Sequence, residues 1–392
     1  MDKSLKVAVI LAVAAVLLVG TFAGGVLFGH RANQSVALST GPAGLRSAVT
    51  EVYGIVQREA LEPSSDSSMT AGAITGMLMS LDDPYANYFD EKHFEYFNQE
   101  TSGEFYGIGI TITSRDDDLV VVSVMEGTPA ERAGLKADDV IVEIDGQTRM
   151  KWDADEAVTL IRGEEGTDVT LGIRRGDEEE LREFTITRAK IEVPNIESEL
   201  LEGNVGYIRL YSFNQRAEQE VKDALAELTD AGAEGFILDL RDNPGGLLDE
   251  SVDVASLFVE DGVIVSVEDR NGTVEEYRAT DTKATDAPLV VLINGNSASA
   301  SEIVGGALQD YDRAPLVGEK SFGKGSVQQI EQLESGGAIK LTIAKYVTPK
   351  GRTIDKIGLT PDVEVPMEFE LQADKETDTQ LQKAIEVLKD EL

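Results

Sequence analysis

The sequence predicts a multidomain α/β protein: an N-terminal transmembrane helix, a helical arm, a small mostly-β domain, and a core built on a largely parallel sheet. Three observations predict it. From residue 204 onward, apolar strand-like runs alternate with helical patterns, as in "NVGYIRLYSF", then Gln215–Asp230, "GFILDL" and "PLVVLING", and such alternation implies parallel strands joined by crossover helices. Between about 103 and 190 the texture is short β-rich runs, among them "GIGITIT", "DLVVVSVM" and "DVIVEIDG", with one helical piece at "WDADEAVTLIRG". Ahead of both, Val7 to Gly29 carries no charge over 23 residues, which as a helix is about 35 Å and long enough to cross a bilayer.

Residues 1–35 therefore form a membrane anchor or signal segment. Signal peptides have apolar regions of only about 7–15 residues, so an uncleaved anchor is expected, although Ser35–Ala37 would serve as a cleavage site. Lys3 and Lys6 precede the stretch and favour a cytoplasmic amino terminus, which puts the rest of the chain outside the cytoplasm. Gly20 with Gly24, and Gly25 with Gly29, have the small-xxx-small spacing through which helices associate, so a homo-oligomer is one expectation, though such spacing is common by chance in glycine-rich spans.

Residues 36–100 contain two helical patterns split by "EPSSDSS", residues 101–190 the β domain, and 191–366 the α/β core. The last segment, 367–392, ends in the short amphipathic helix "TDTQLQKAIEVLKDEL".

A net charge of −37, from 72 acidic against 35 basic residues, argues against nucleic acid as a partner. No cysteine is present, which removes thiol nucleophiles, disulfides and cysteine-ligated metals. The two histidines, His30 and His93, both precede the α/β core, so a Ser-His-Asp triad within that core is impossible, as is an HExxH zinc site anywhere. A nucleophilic hydrolase here needs another base, and lysine is the available candidate.

In "LINGNSASASEIVGGAL" a buried strand ends in a turn of small polar residues that opens a helix, a geometry that presents a serine with free backbone N–H groups beside it. The structural alternative is that Ser299 and Glu302 form an S-x-x-E capping box. "LDLRDNPGGLLDES" has the same strand-turn-helix layout; Gly245 and Gly246 could offer a second oxyanion donor beside the Ala300 amide, or the turn could be only a turn. "GEKSFGKGSVQ" matches a phosphate-binding loop at Gly318, Gly323 and Lys324 but has Gly325 where a magnesium-binding hydroxyl is required.

Taken together, "LDDPYANYF", "YGIGI", "DLRDNPGG", "NSASASEI", "GEKSFGKGSVQ" and "GLTPDVEV", in this order, resemble the carboxy-terminal processing, or tail-specific, proteases, a Ser-Lys peptidase family. The resemblance covers about residues 40 to 365. It implies a ClpP/crotonase-like peptidase core, with Ser299 as nucleophile, Lys324 as general base 25 residues later, and Gln328 orienting the lysine. Neither metal nor nucleotide cofactor is then needed. It further implies that the β domain is a PDZ domain. Gly107, Ile108, Gly109 and Ile110 would be its carboxylate-binding loop, and "GTPAERAGLKADDVIVEIDG" matches the same family. Arg162, after the domain's expected helix, is a candidate reader of the peptide-bound state, its alternative being a solvated surface arginine. The expected protein is a serine endopeptidase of the bacterial cell envelope, anchored in the inner membrane, acting on proteins or peptides with free, apolar C-termini. The rival is a PDZ-bearing adaptor with an inactive peptidase fold, against which the joint presence of Ser299, Lys324 and Gln328 counts.

Overall fold

The computed structural model describes residues 41–392 apart from 116–117, 150, 177–179, 193, 367–374 and 376. The expected membrane span Val7–Gly29, its glycine pairs and Ser35–Ala37 lie outside the described residues; among those described, no helix is long and apolar enough to cross a membrane. The chain divides into two units, up to Asp82 and from Asp83.

The first unit contains helices α1 (Pro42–Glu59) and α2 (Asp66–Met79). Pro42 suits the first turn of α1, where its missing N–H costs no hydrogen bond, and the Ser65 hydroxyl caps α2 by accepting from Ser68 N. The hairpin is tied by Tyr53, whose hydroxyl donates to Asp66 Oδ1 at 2.9 Å.

The second unit opens with strand β1 (Asn87–Phe89) and helix α3 (Glu91–Ser102). This divides the expected 36–100 helical region: β1 is hydrogen-bonded to a strand of the α/β core some 250 residues later, so Asp83 onward belongs to the larger unit. The β domain follows as β2 (Glu104–Gly107), β3 (Ile110–Arg115), β4 (Asp118–Val124), α4 (Pro129–Ala133), β5 (Val140–Ile144), β6 (Gln147–Thr148), α5 (Ala154–Ile161), β7 (Asp168–Arg174), β8 (Arg182–Thr187) and β9 (Ala189–Glu192). Strands β3-β4-β5-β7-β8 form an antiparallel sheet, with β6 paired to β5 and β3 at the edge. Its core is closed by Ile108, Leu119, Ile141, Trp152, Leu171 and Ile186. The β2–β9 pair joins the start of the domain to its end.

The core elements are β10 (Ile196–Leu201), β11 (Val205–Leu210), α6 (Ala217–Asp230), β12 (Gly235–Asp239), α7 (Leu248–Ser256), β13 (Val263–Asp269), β14 (Val274–Arg278), β15 (Leu289–Ile293), α8 (Ala300–Asp310), β16 (Leu316–Gly318), β17 (Ser326–Gln332), β18 (Ala338–Val347), β19 (Val363–Glu364) and α9 (Thr379–Lys389). The main sheet runs β10-β11-β12-β15-β16-β19, and every neighbouring pair except β10–β11 is parallel. Every residue of β12 and β15 is buried, as expected of strands covered on both faces. Helices α6, α7 and α8 cover the face of Leu238 and Val291, while Leu381, Ala384 and Leu388 of α9 cover the face of Ile237 and Val290.

A second, five-stranded antiparallel sheet, β1-β18-β13-β14 with β17 on β18, has no counterpart in the sequence analysis, which assigns no strand to 326–347. It forms because β18 is ten residues long and presents both edges, one to β17 and the other to β1 and β13. One consequence is local to function: β17 follows directly on the loop that carries Lys324.

Beneath the turn after β12, Arg241 is 1% exposed and its guanidinium bonds Asp239 and Asp378, the latter the N-cap of α9. Tyr207 donates to the same Asp239 at 2.8 Å. This buried cluster fixes the carboxy-terminal helix to the strand end that leads into the Asn-Pro-Gly-Gly turn.

Candidate active site

The turn between β15 and α8 contains three closely spaced serines. Ser297 is fully buried, accepting from Asn294 N and donating to Leu240 O at 2.7 Å, and Ser301 is fully buried, donating to Asn243 O at 2.9 Å. Both hydroxyls are spent on joining this turn to the one after β12. Ser299 is half-buried and adopts φ 55°, ψ −113°, a region that costs a non-glycine residue about 1–3 kcal/mol. An ordinary N-cap is extended and needs no such strain. The capping-box carboxylate is nevertheless present: Glu302 accepts the Ser299 N–H at 2.9 Å. Capping and presentation of Ser299 thus coexist.

Across from it, Asn243 organises the Asn-Pro-Gly-Gly turn. Its side chain donates to Leu210 O and accepts Gly245 N–H at 2.9 Å, and its carbonyl accepts Ala298 N and Ser301 Oγ. Gly245, at φ 98°, approaches the serine turn so closely that a Cβ there would stand 2.7 Å from Ala298 O and 2.8 Å from both Ala300 N and Ser299 Cβ. Only glycine fits. The expected donors therefore differ in state: Gly245 N–H is engaged by Asn243, while Gly246 is exposed at the mouth of the cavity that Ala300 also borders.

The loop after β16 brings Lys324 to the same cavity. The Gly323 and Lys324 N–H groups, which a bound phosphate would need, are taken by the Glu302 carboxylate at 2.7 and 2.8 Å, so the phosphate-loop reading fails on geometry as well as on Gly325. Gly325 has its own reason, since a Cβ there would lie 2.3 Å from Asp355 N. The Tyr346 hydroxyl donates to Lys324 O and lies within hydrogen-bonding reach of the Ser299 side chain; burial pushes that hydroxyl well above the ordinary tyrosine range.

Lys324 is half-buried, with Nζ 5.0 Å from the centre of the Tyr85 ring. Burial first, and then the nearby Lys340 charge, lower its pKa below the ordinary lysine value of 10.5, while the Glu302 charge opposes them. Burial in turn raises the Glu302 carboxyl against the four hydrogen bonds it accepts.

Ser299, Lys324 and Gln328 border one cavity of about 580 Å³, whose apolar wall includes Phe213, Leu248, Ile303 and Val327, with Phe97 and Thr101 reaching in from α3. Among the described residues no hydrogen bond joins Lys324 Nζ to Ser299 Oγ. Gln328 Nε2 donates to Ser326 O at 3.1 Å, to Ser326 Oγ at 2.7 Å and to Thr342 Oγ1, so in this arrangement the amide is turned to β17 and β18 rather than to the lysine it was expected to orient. Sequence reasoning missed Glu302 as a partner of the lysine loop, and missed Tyr85, Lys340 and Tyr346 altogether. Only Glu302 left a local signal, the S-x-x-E spacing.

In the β domain, Gly107 closes β2 and Ile108 is buried in the core, its carbonyl accepting Ala130 N. Gly109 is at φ 83°, where a Cβ would meet Thr128 Cβ at 2.3 Å. Ile110 begins edge strand β3, and a groove between β3 and α5 is lined by Ile110, Ile112, Val158 and Arg162. Arg162 is half-buried, its guanidinium 5.3 Å from the Tyr96 ring of α3 and 4.8 Å from the Phe105 ring of β2. Among the described residues no group of His, Asp and Glu side chains is arranged to hold a metal ion.

An edge-stranded β domain with a glycine loop, joined to an α/β core in which a strained serine and a half-buried lysine border one cavity, fits the class of peptidases that carry a small β domain. The comparisons with known proteins agree. Peptidase family S41 matches residues 204–365, the PDZ domain matches 120–175, and the activating protease CtpB N-terminal domain matches 30–93. The carboxy-terminal processing protease CtpA of Bacillus subtilis is 37% identical over 320 residues, covering 81% of this chain and 68% of its own. A carboxyl-terminal-processing protease of Synechocystis is 41% identical, covering 83% and 78%. The solved photosystem II D1 C-terminal processing protease superposes with a TM-score of 0.53 at 31% identity, covering 87% of this chain and 98% of that one. The chain belongs to the carboxy-terminal processing serine proteases, and it carries their PDZ domain.

Proposed function

We propose that the chain is an endopeptidase that receives the free, apolar C-terminus of a protein in the groove between β3 and α5 and cleaves nearby with Ser299 as nucleophile and Lys324 as general base. The observation that carries this is the pairing of a single half-exposed, strained serine with a lysine whose pKa is lowered, on the wall of one cavity. Neutral Lys324 leaves the Tyr85 face and takes the Ser299 proton as Oγ attacks the scissile carbonyl. The oxyanion is held by Ala300 N–H at the start of α8 and by the Gly245–Gly246 turn. There either Gly246 donates, or Gly245 first leaves Asn243 Oδ1. The new ammonium then protonates the departing amine, and water attacks the acyl-enzyme by the reverse sequence. For Gln328 to steady the lysine, its amide has to turn from Ser326.

The loop Gly107–Ile110 supplies backbone amides for the terminal carboxylate while the tail adds as a strand along β3. Arg162 stands at the end of that groove and in contact with α3, whose Phe97 borders the catalytic cavity, a position suited to reporting occupancy. The apolar stretch Val7–Gly29, with Lys3 and Lys6 before it, supports an anchor in the bacterial inner membrane with the enzyme on its outer side.

The test is a mutant cycle on the full chain with a peptide substrate. Ser299→Ala and Lys324→Ala are each expected to lower turnover by about 10³-fold or more, with the double mutant little worse, because nucleophile and base act as a unit. Lys324→Arg fails as well, since guanidinium does not deprotonate. Appreciable activity in Lys324→Ala overturns the mechanism. A wild-type chain that binds tails and never cleaves them returns the adaptor reading.

A further inference from the structure

We propose that Glu302 is a positioning residue for cleavage: its buried carboxylate sets nucleophile and base in register by holding the backbone of both. The proposal rests on the Ser299–Lys324 reading and deepens it. Glu302 is fully buried, and each of its oxygens accepts two hydrogen bonds. Oε2 takes Ser299 N–H at 2.9 Å and Lys324 N–H at 2.8 Å; Oε1 takes Ser321 Oγ at 2.6 Å and Gly323 N–H at 2.7 Å. A helix cap accounts for the first of these and for none of the others.

The two reacting residues lie on different segments, the turn into α8 and the loop after β16. One backbone bond, Phe322 N to Ser297 O, joins those segments directly, and it is two residues away from each reacting group. A single oxygen shared between the Ser299 and Lys324 amides ties the reacting residues themselves. From the other side, Tyr346 of β18 holds Lys324 O and touches Ser299, so both polar groups of the Lys324 backbone are fixed. Burying a carboxylate is costly unless it is fully hydrogen-bonded, and three of its four partners are N–H groups that only an acceptor satisfies.

The carboxylate also acts on the base through its charge. The groups facing Lys324 are Tyr85 from the turn before β1, Lys340 and Tyr346 from β18, and Glu302 from α8. Of these, Glu302 is the anion that favours the ammonium form, so removing its charge makes Lys324 neutral at lower pH.

Glu302→Gln keeps the shape, removes the charge and turns an amide N–H toward donors. In the full chain, with unfolding unchanged by circular dichroism, kcat on a peptide with a free C-terminus is expected to fall about 100-fold, the consequence of a misplacement near 1 Å. KM is expected to stay within about twofold, and the rising limb of the pH–rate profile to move to lower pH. Glu302→Asp keeps the charge and shortens the reach, so kcat falls while the limb stays in place. That variant carries the test if the glutamine protein does not fold. Wild-type kcat in either folded variant, or a loss in Glu302→Gln with the limb unmoved, overturns the proposal. If Ser299→Ala and Lys324→Ala themselves retain activity, the dyad reading fails first. If they are inactive and Glu302→Gln is not, only the positioning role falls.

Discussion

Lys324 Nζ stands 5.0 Å from the centre of the Tyr85 ring, over the aromatic face and within the cavity that Ser299 borders. The ring face favours the ammonium form, whereas burial and then the charge of Lys340 disfavour it, and the balance lies below an ordinary lysine. A general base must be unprotonated, so activity rises with pH through the Lys324 pKa and levels off above it. Because that pKa is lowered, the midpoint lies on the acid side of 10.5. Lys340→Met removes a neighbouring cation and is expected to move the limb to higher pH. Replacing His30 and His93 should leave it in place; a limb near pH ~6.5 that vanishes with the histidines would show the wrong base had been assigned.

Gly245 and Gly295 make a matched pair for testing the turn. Alanine at Gly245 must adopt φ 98° with its methyl 2.7 Å from Ala298 O, which displaces Ser299 and Ala300 together. We expect a kcat loss of about 10²–10³-fold, the size seen when an oxyanion donor is removed. At Gly295 the nearest atom is Lys320 O at 4.0 Å and the backbone needs no positive φ, so alanine should leave kcat within about twofold. Steady-state kinetics on both variants decides it.

Tail capture is read by comparing one substrate with a free and with an amidated C-terminus. The free form should be cleaved faster by the wild type, since amidation removes the carboxylate that the Gly107–Ile110 amides would bind. Gly109→Val drives a side chain into Thr128 at a position of φ 83°, and is expected to erase the difference between the two substrates. If wild type treats both alike, the groove does not read the terminus.

Arg241 supports a stability prediction. Arg241→Ala leaves Asp239 and Asp378 buried without their cation and is expected to cost about 3–5 kcal/mol, measured by urea unfolding. Replacing all three with apolar residues of similar volume should cost less than the single change, because no charge is left unpaired. A single mutant within about 0.5 kcal/mol of wild type would mean the cluster is hydrated.

Much of the site was legible in the chain because its signals are local. The strand-turn-helix spacing around Ser299 and the paired glycines of 245–246 left capping and catalysis both open, the scarcity of histidine excluded a histidine base from the core, and the resemblance of the ordered motifs to the processing proteases singled out Ser299 and Lys324. The alternation of strand and helix patterns likewise implied a largely parallel, doubly covered sheet, and β12 and β15 are buried throughout. What escaped reading is what two segments do together. The 326–347 strands were missed although they build the sheet behind Lys324, because alternating polar and apolar residues there look like surface until β1 and β13 arrive to pair with β18.

By itself the sequence determined the absence of a histidine from the core, the alternation of strand and helix patterns after residue 204 and the ordered motifs whose resemblance supplies the candidate residues, all properties of residue type and near-neighbour spacing. Only the tertiary structure decided which serine is exposed, since Ser297 and Ser301 differ from Ser299 in partners on another turn. It alone brought Tyr85, Lys340 and Tyr346 to Lys324, turned Gln328 toward Ser326, placed Arg162 beside two rings, and gave the Glu302 carboxylate the Gly323 and Lys324 amides and the Ser321 hydroxyl. Apart from the Gln328–Ser326 bonds, these contacts join residues from more than ten to over two hundred positions apart. Their geometry is set by how sheets and helices pack, which no local pattern encodes.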